Sequence, residues 1–89
     1  MPTTIGATML NVYETSLVRA CPEDGAVITY SVTLTSKKTE MVEEIVQVLD
    51  SVDKSILQES LAEYIKSQLP DCVVKVVGTH SGITITTTI

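Results

Sequence analysis

The chain holds one histidine, His80, and two cysteines, Cys21 and Cys72, and any nucleophilic or transition-metal chemistry has to be built around them. Nucleophilic catalysis needs a Ser or Cys within reach of a base that a third group orients. Ser81 adjoins His80, but neighbours on a turn direct their side chains apart. Cys72 and His80 stand at opposite ends of one predicted strand and do not meet. The default reading of His80 is therefore an exposed turn histidine. The sequence contains no Cys-x-x-Cys pair, which removes zinc ribbons and thioredoxin-like motifs, and no Asp-x-Asp-x-Asp loop for a hard cation. Glu40 and Glu44 are four apart on an exposed helix face, where nothing would tune a carboxylate for acid–base work. Gly6, Gly25, Gly78 and Gly82 are scattered singly and make no phosphate-cradling loop. The expectation is no catalytic residue, no metal site and no cofactor.

Three weaker groupings remain. Tyr30, Tyr64 and His80 are the side chains that could serve a polar or ligand site between sheet and helices or at a subunit boundary. Cys21 and Cys72 have two readings: buried free thiols in a reducing compartment, or a disulfide tying an early hairpin to a late strand. Thr29, Ser31, Thr33 and Thr35, with Thr84, Thr86 and Thr88, fall on alternate positions of two strands and would present hydroxyls on one sheet face. Threonine suits a half-wet sheet face on propensity alone. A neutral face without charged guards also lacks the usual devices against association.

Hydrophobic periodicity indicates the elements that would carry these residues. A loose two-residue period runs from Thr4 to Tyr13, and a second apolar run, Leu17–Cys21, follows the polar Glu14-Thr15-Ser16. Pro22-Glu23-Asp24-Gly25 reads as a hairpin loop, with Gly25 supplying positive φ. The next strand alternates cleanly, with Ala26, Ile28, Tyr30, Val32 and Leu34 on one face and Val27, Thr29, Ser31, Thr33 and Thr35 on the other. From Thr39 the period lengthens. Met41, Val42, Ile45, Val48, Leu49 and Val52 define an amphipathic helix with Thr39 as its N-cap. Ile56, Leu57, Leu61, Tyr64, Ile65 and Leu69 define a second, opened by a Ser55/Gln58 capping box. A single rod of some thirty residues would span about 45 Å and overhang a small sheet, so a break within Asp50–Ser55 is expected. Cys72–Val77 and Ile83–Ile89 are the closing strands, joined by turn chemistry at Gly78–Gly82.

The fold class that follows is α+β: a small antiparallel sheet in β-β-β-α-α-β-β order with two helices packed on one face, residues 1–89 forming a single domain. With 89 residues the core is small, and with no Phe or Trp it must be built from Ile, Val, Leu and Met. The net charge of −5 opposes nucleic-acid and anionic-membrane binding. All of that charge falls within residues 38–71, where eight acids face three bases; elsewhere three acids balance three bases. The segment Ile83–Ile89 has no charge, Pro or Gly, so it should be central, covered or paired with another subunit. These features point to a non-enzymatic structural or protein-interaction module that self-associates as a homo-oligomer or takes a protein partner. The alternative is a small-molecule-binding protein or small enzyme. Without a signal-peptide pattern at Met1-Pro2-Thr3-Thr4 a cytoplasmic location is slightly favoured; a Cys21–Cys72 bridge would instead indicate an extracellular or virion-surface module.

Overall fold

The computed structural model describes residues 9–89. In it β1 (Asn11–Ala20) and β2 (Val27–Ser36) are followed by α1 (Val42–Asp50) and α2 (Gln58–Gln68), and the chain closes with β3 (Val73–His80) and β4 (Ile83–Thr88). The four strands form one antiparallel sheet in the order β1-β2-β3-β4. The helices cover one face, α2 lying against β3 and β4 and against α1. This is the α+β arrangement that the periodicity indicates, with two helices separated by residues 51–57, a break that covers most of the expected one and runs two residues beyond it.

The early strands differ from expectation. Asn11–Ala20 is one continuous strand, fully registered with β2 through Glu14-Thr15-Ser16. Polar residues there do not interrupt it, because β1 is an edge strand and Glu14 and Ser16 lie on its uncovered face. The stretch Thr4–Thr8 of the first expected strand lies outside the described residues. The β2 alternation holds: Ile28, Tyr30, Val32 and Leu34 are buried. They meet Leu17 of β1, Val74 and Val76 of β3, and Ile45, Leu61, Ala62 and Ile65 of the helices in one apolar core. Pocketing these branched side chains between sheet and helices supplies most of the driving force, about 25 cal/mol per Å² of apolar surface removed from water.

Neither expected helix cap forms. α1 begins after Met41 and α2 after Leu57, both without a side-chain cap. The Glu40 carboxylate instead accepts a hydrogen bond from Ser36 Oγ at 3.0 Å, and the Glu40 N–H donates to Tyr13 Oη at 2.9 Å. Ser55 pairs with the edge of β1, where Ala20 N–H donates to Lys54 O and Ile56 N–H to Ala20 O. The segment between the helices thereby seals one end of that edge. Met41 and Val42, read as core positions, are exposed.

The two hairpin turns use positive φ as their geometry requires. Gly25 sits at φ 74°, and Ser81 and Gly82 take 53° and 80° as the central pair of a two-residue turn of the type that matches strand twist.

Candidate functional site

The β1–β2 loop and the end of β3 meet at one corner of the sheet. Cys21 closes β1, donating its N–H to Ala26 O at 2.8 Å and accepting from Gly25 N–H at 2.8 Å, so Pro22–Gly25 form a tight loop. Within it Asp24 Oδ1 accepts the Ala26 N–H at 3.0 Å, which turns Oδ2 outward to His80 Nε2 at 2.8 Å. One His80 ring nitrogen, the Cys21 Sγ and one Asp24 oxygen all lie within 4.8 Å of one another. The thiol is buried, the imidazole half-buried and the carboxylate exposed. The Asp24 carboxyl is held below its ordinary value, first by the Ala26 N–H and then by His80, with Cys21 adding in the same sense.

Behind this corner lies a groove of ≈170 Å³ whose lining includes Tyr30, Gln58, Gly78 and Ile85. Tyr30 is 2% exposed, and burial pushes its phenol up, with charge at Cys21 and Glu59 adding to the shift. Its ring crosses directly over Gly78. A Cβ on Gly78 would stand 2.8 Å from Tyr30 Cδ1 and Cε1 and 2.9 Å from Gln58 Oε1. Gln58 Nε2 lies 3.0, 2.9 and 3.1 Å from Val76 O, Ile85 O and Thr87 Oγ1, pinning the start of α2 to the last two strands.

The structure thus brings Tyr30 and His80 to one groove and leaves Tyr64 elsewhere. The Tyr64 hydroxyl meets Ser51 Oγ, at the residue that ends α1, and joins helix to helix. Of the two readings of Cys21 and Cys72, the structure has the buried free thiols and no bridge. β1 and β3 run in the same direction, so the residue after β1 and the residue before β3 sit at opposite ends of the sheet. By the sheet register Cys21 stands level with Ala26 and Cys72 with Ser36, ten residues apart along β2. At ~3.3 Å per residue that is about 33 Å, far beyond the ~7 Å limit for bridged Cα atoms. The Cys21–Asp24–His80 grouping is not evident in the sequence, where Ser81 and Cys72 are the nucleophiles that order along the chain sets beside His80. Its signal was a Cys-x-x-Asp loop one hairpin away from His80, legible only once β2 and β3 are known to be neighbours.

The other face of the sheet carries Thr29, Ser31, Thr33, Thr35, Thr84, Thr86 and Thr88 together, as the alternation predicts. No described element covers it. Val12, Val18, Val27 and Val73 share that face and are exposed, Val27 at 74%. The only charges among its strand residues are Glu14 and Lys75, which flank Thr33 in one cross-strand row. β4 is an edge strand, not a central one, and leaves Ile83, Ile85 and Ile89 exposed.

No family model matches the chain, and no curated protein or solved structure matches it either. No helix among the described residues is long and apolar enough to cross a membrane.

Proposed function

We propose that the protein is a non-enzymatic structural or interaction module that works as a homo-oligomer, with a second copy of the chain covering the open sheet face. The observation that carries this reading is the face itself: a layer of exposed valines and hydroxyls with one acid and one base, Glu14 and Lys75, on either side of Thr33. A two-fold axis along β2 would lay β1 of one copy over β3 of the other. Glu14 of each copy would then face Lys75 of its partner, so the surface is complementary to itself. Four strands ~4.8 Å apart and roughly eight residues long give about 500 Å² in projection. Corrugated side chains raise the accessible area toward the ~800 Å² per partner of a standard interface.

Sedimentation velocity on Thr33→Lys and Thr86→Lys tests the reading. The lysine of Thr86→Lys would be buried without a partner. That of Thr33→Lys, on the two-fold axis, would face its own copy, crowd Lys75 and draw Glu14 from the partner's lysine. Either should therefore weaken association by at least tenfold, about 1.4 kcal/mol. Thr86→Pro separates this from edge pairing. The Val74–Ile89 hydrogen-bonded pair sets the β3–β4 ladder so that the Thr86 N–H points away from β3. The proline would therefore block β4 edge-to-edge pairing while sparing the intramolecular ladder. Association that survives both lysines but fails with the proline would move the interface from the face to the edge.

The alternative, a small-molecule-binding protein or small enzyme, is favoured by one observation, the convergence of Cys21, Asp24 and His80 at the mouth of the Tyr30 groove. At ≈170 Å³ that groove is well below the ~300–1,000 Å³ of drug-sized pockets and suits only a very small ligand or an ion.

A further inference from the structure

From the geometry of the sheet corner we infer that Cys21, Asp24 and His80 form a three-ligand site for a divalent transition metal of the zinc class. The inference stands apart from self-association, since its residues lie at the hairpin corner and not among those of the open face.

Three features carry it. The donor set is a thiol, an imidazole and a carboxylate, the mixture that zinc, cobalt and their neighbours accept and that calcium and magnesium do not. One atom from each residue lies within 4.8 Å of the other two. Metal–ligand bonds of about 2.0–2.3 Å at tetrahedral angles place ligand atoms about 3.4–3.6 Å apart. Reaching that spacing needs the Asp24–His80 contact to open from 2.8 Å and the thiol to draw in from within 4.8 Å. The third feature is orientation and charge. Asp24 is already aimed by the Ala26 N–H on its other oxygen, the outer-shell support that metal-bound carboxylates use. The adjoining groove adds Glu23 and Glu59 and no Lys or Arg, so the local field favours a cation.

Binding would proceed by loss of the Cys21 Sγ proton to solvent and by transfer of the His80 Nε2 proton, which now faces Asp24, through solvent to Nδ1. The three freed ligand atoms then displace three waters from the hydrated ion, and two metal–ligand bonds replace the His80–Asp24 hydrogen bond. Three protein ligands leave a fourth tetrahedral position, which water fills on the exposed side of Asp24.

The test is a titration of the full chain, kept reduced with a phosphine, with Co²⁺ alone. Binding is read from the thiolate-to-cobalt charge-transfer band in the near-ultraviolet and from the tetrahedral d–d bands. One equivalent should bind, Cys21→Ser should abolish the charge-transfer band, and Cys72→Ser should retain it. His80→Ala, at the end of β3, and Asp24→Asn, in the β1–β2 loop, both separable from unfolding by circular dichroism, should each weaken binding by at least roughly tenfold. Added Zn²⁺ should bleach the bands. No band in the unaltered chain would overturn the inference, as would a band that survives Cys21→Ser, one that depends on Cys72, or affinity unchanged in folded His80→Ala and Asp24→Asn.

Discussion

At the scale of single residues, the tightest constraint is on Gly78, and it is one of space. Its φ is not in the left-handed region, yet a methyl group there would run into the buried Tyr30 ring and the Gln58 amide. Tyr30 is 2% exposed, so its ring can give way only toward the small groove that it lines. Gly78→Ala should therefore cost about 1–3 kcal/mol, read as a shift in the urea midpoint at unchanged slope. Cys72 sets a pH limit instead. Burial, and then the Glu40 carboxylate, hold its thiol above the ordinary 9.0; Asp71 adds to the shift and Lys66 opposes it. Above pH 9 the unfolded chain releases this proton while the folded chain keeps it, so stability should fall as pH rises, by at most ~1.4 kcal/mol per unit. In thermal melts from pH 8 to pH 10.5, Cys72→Ala should flatten the decline. Tyr30, raised in the same way from 10.0, should leave a remnant at the upper end. The sequence marked Cys72 as a buried free thiol or a bridge, and burial alone could not choose between them. Strand direction does, because it sends the two cysteines to opposite ends of the sheet.

At the scale of elements, period was the reliable signal and caps were not. The two-residue alternation of β2 and the longer period of both helices were legible because each has a face in the core. Caps were not: Ser36 and Tyr13 hold Glu40, so α1 starts only after Met41, beyond the reach of Thr39 as an N-cap, and the β1 edge takes the Ser55 segment before it can open α2. α1 has no basic residue in its last turn, and Arg19 of β1 supplies the charge from outside, with Nη2 donating to Leu49 O at 3.1 Å. Gln58 shows how far such a tertiary claim can move a residue from its local role. Read as the third position of a capping box, it opens α2 and spends its amide on β3 and β4. The carbonyls it meets lie in the β3–β4 ladder and keep backbone partners when it is removed. Gln58→Leu should accordingly cost about 1 kcal/mol. Gln58→Glu, which sets a carboxylate against those oxygens, should cost at least ~2 kcal/mol, and denaturant midpoints for the pair would separate the two values.

At the scale of the whole molecule, the chain divides its chemistry between two layers. The helical segment and its flanks hold the net negative charge and face solvent, while the sheet turns a nearly uncharged surface outward. That separation was legible from the order of residues, since hydroxyls alternating with branched side chains define the bare face as surely as they define the core. Strand order was not legible, and it decides two things: β4 lies at an edge with its isoleucines only partly covered, and His80 arrives beside Cys21 and Asp24. An 89-residue chain with a small aliphatic core gains most from covering such a face with its own copy. Light scattering coupled to size exclusion, run on the unaltered chain from micromolar to high micromolar concentration, tests that claim most directly. The account predicts a mass that settles at twice 9.6 kDa or a higher closed multiple and holds on dilution over that range. A mass fixed at 9.6 kDa at the highest concentration would contradict it.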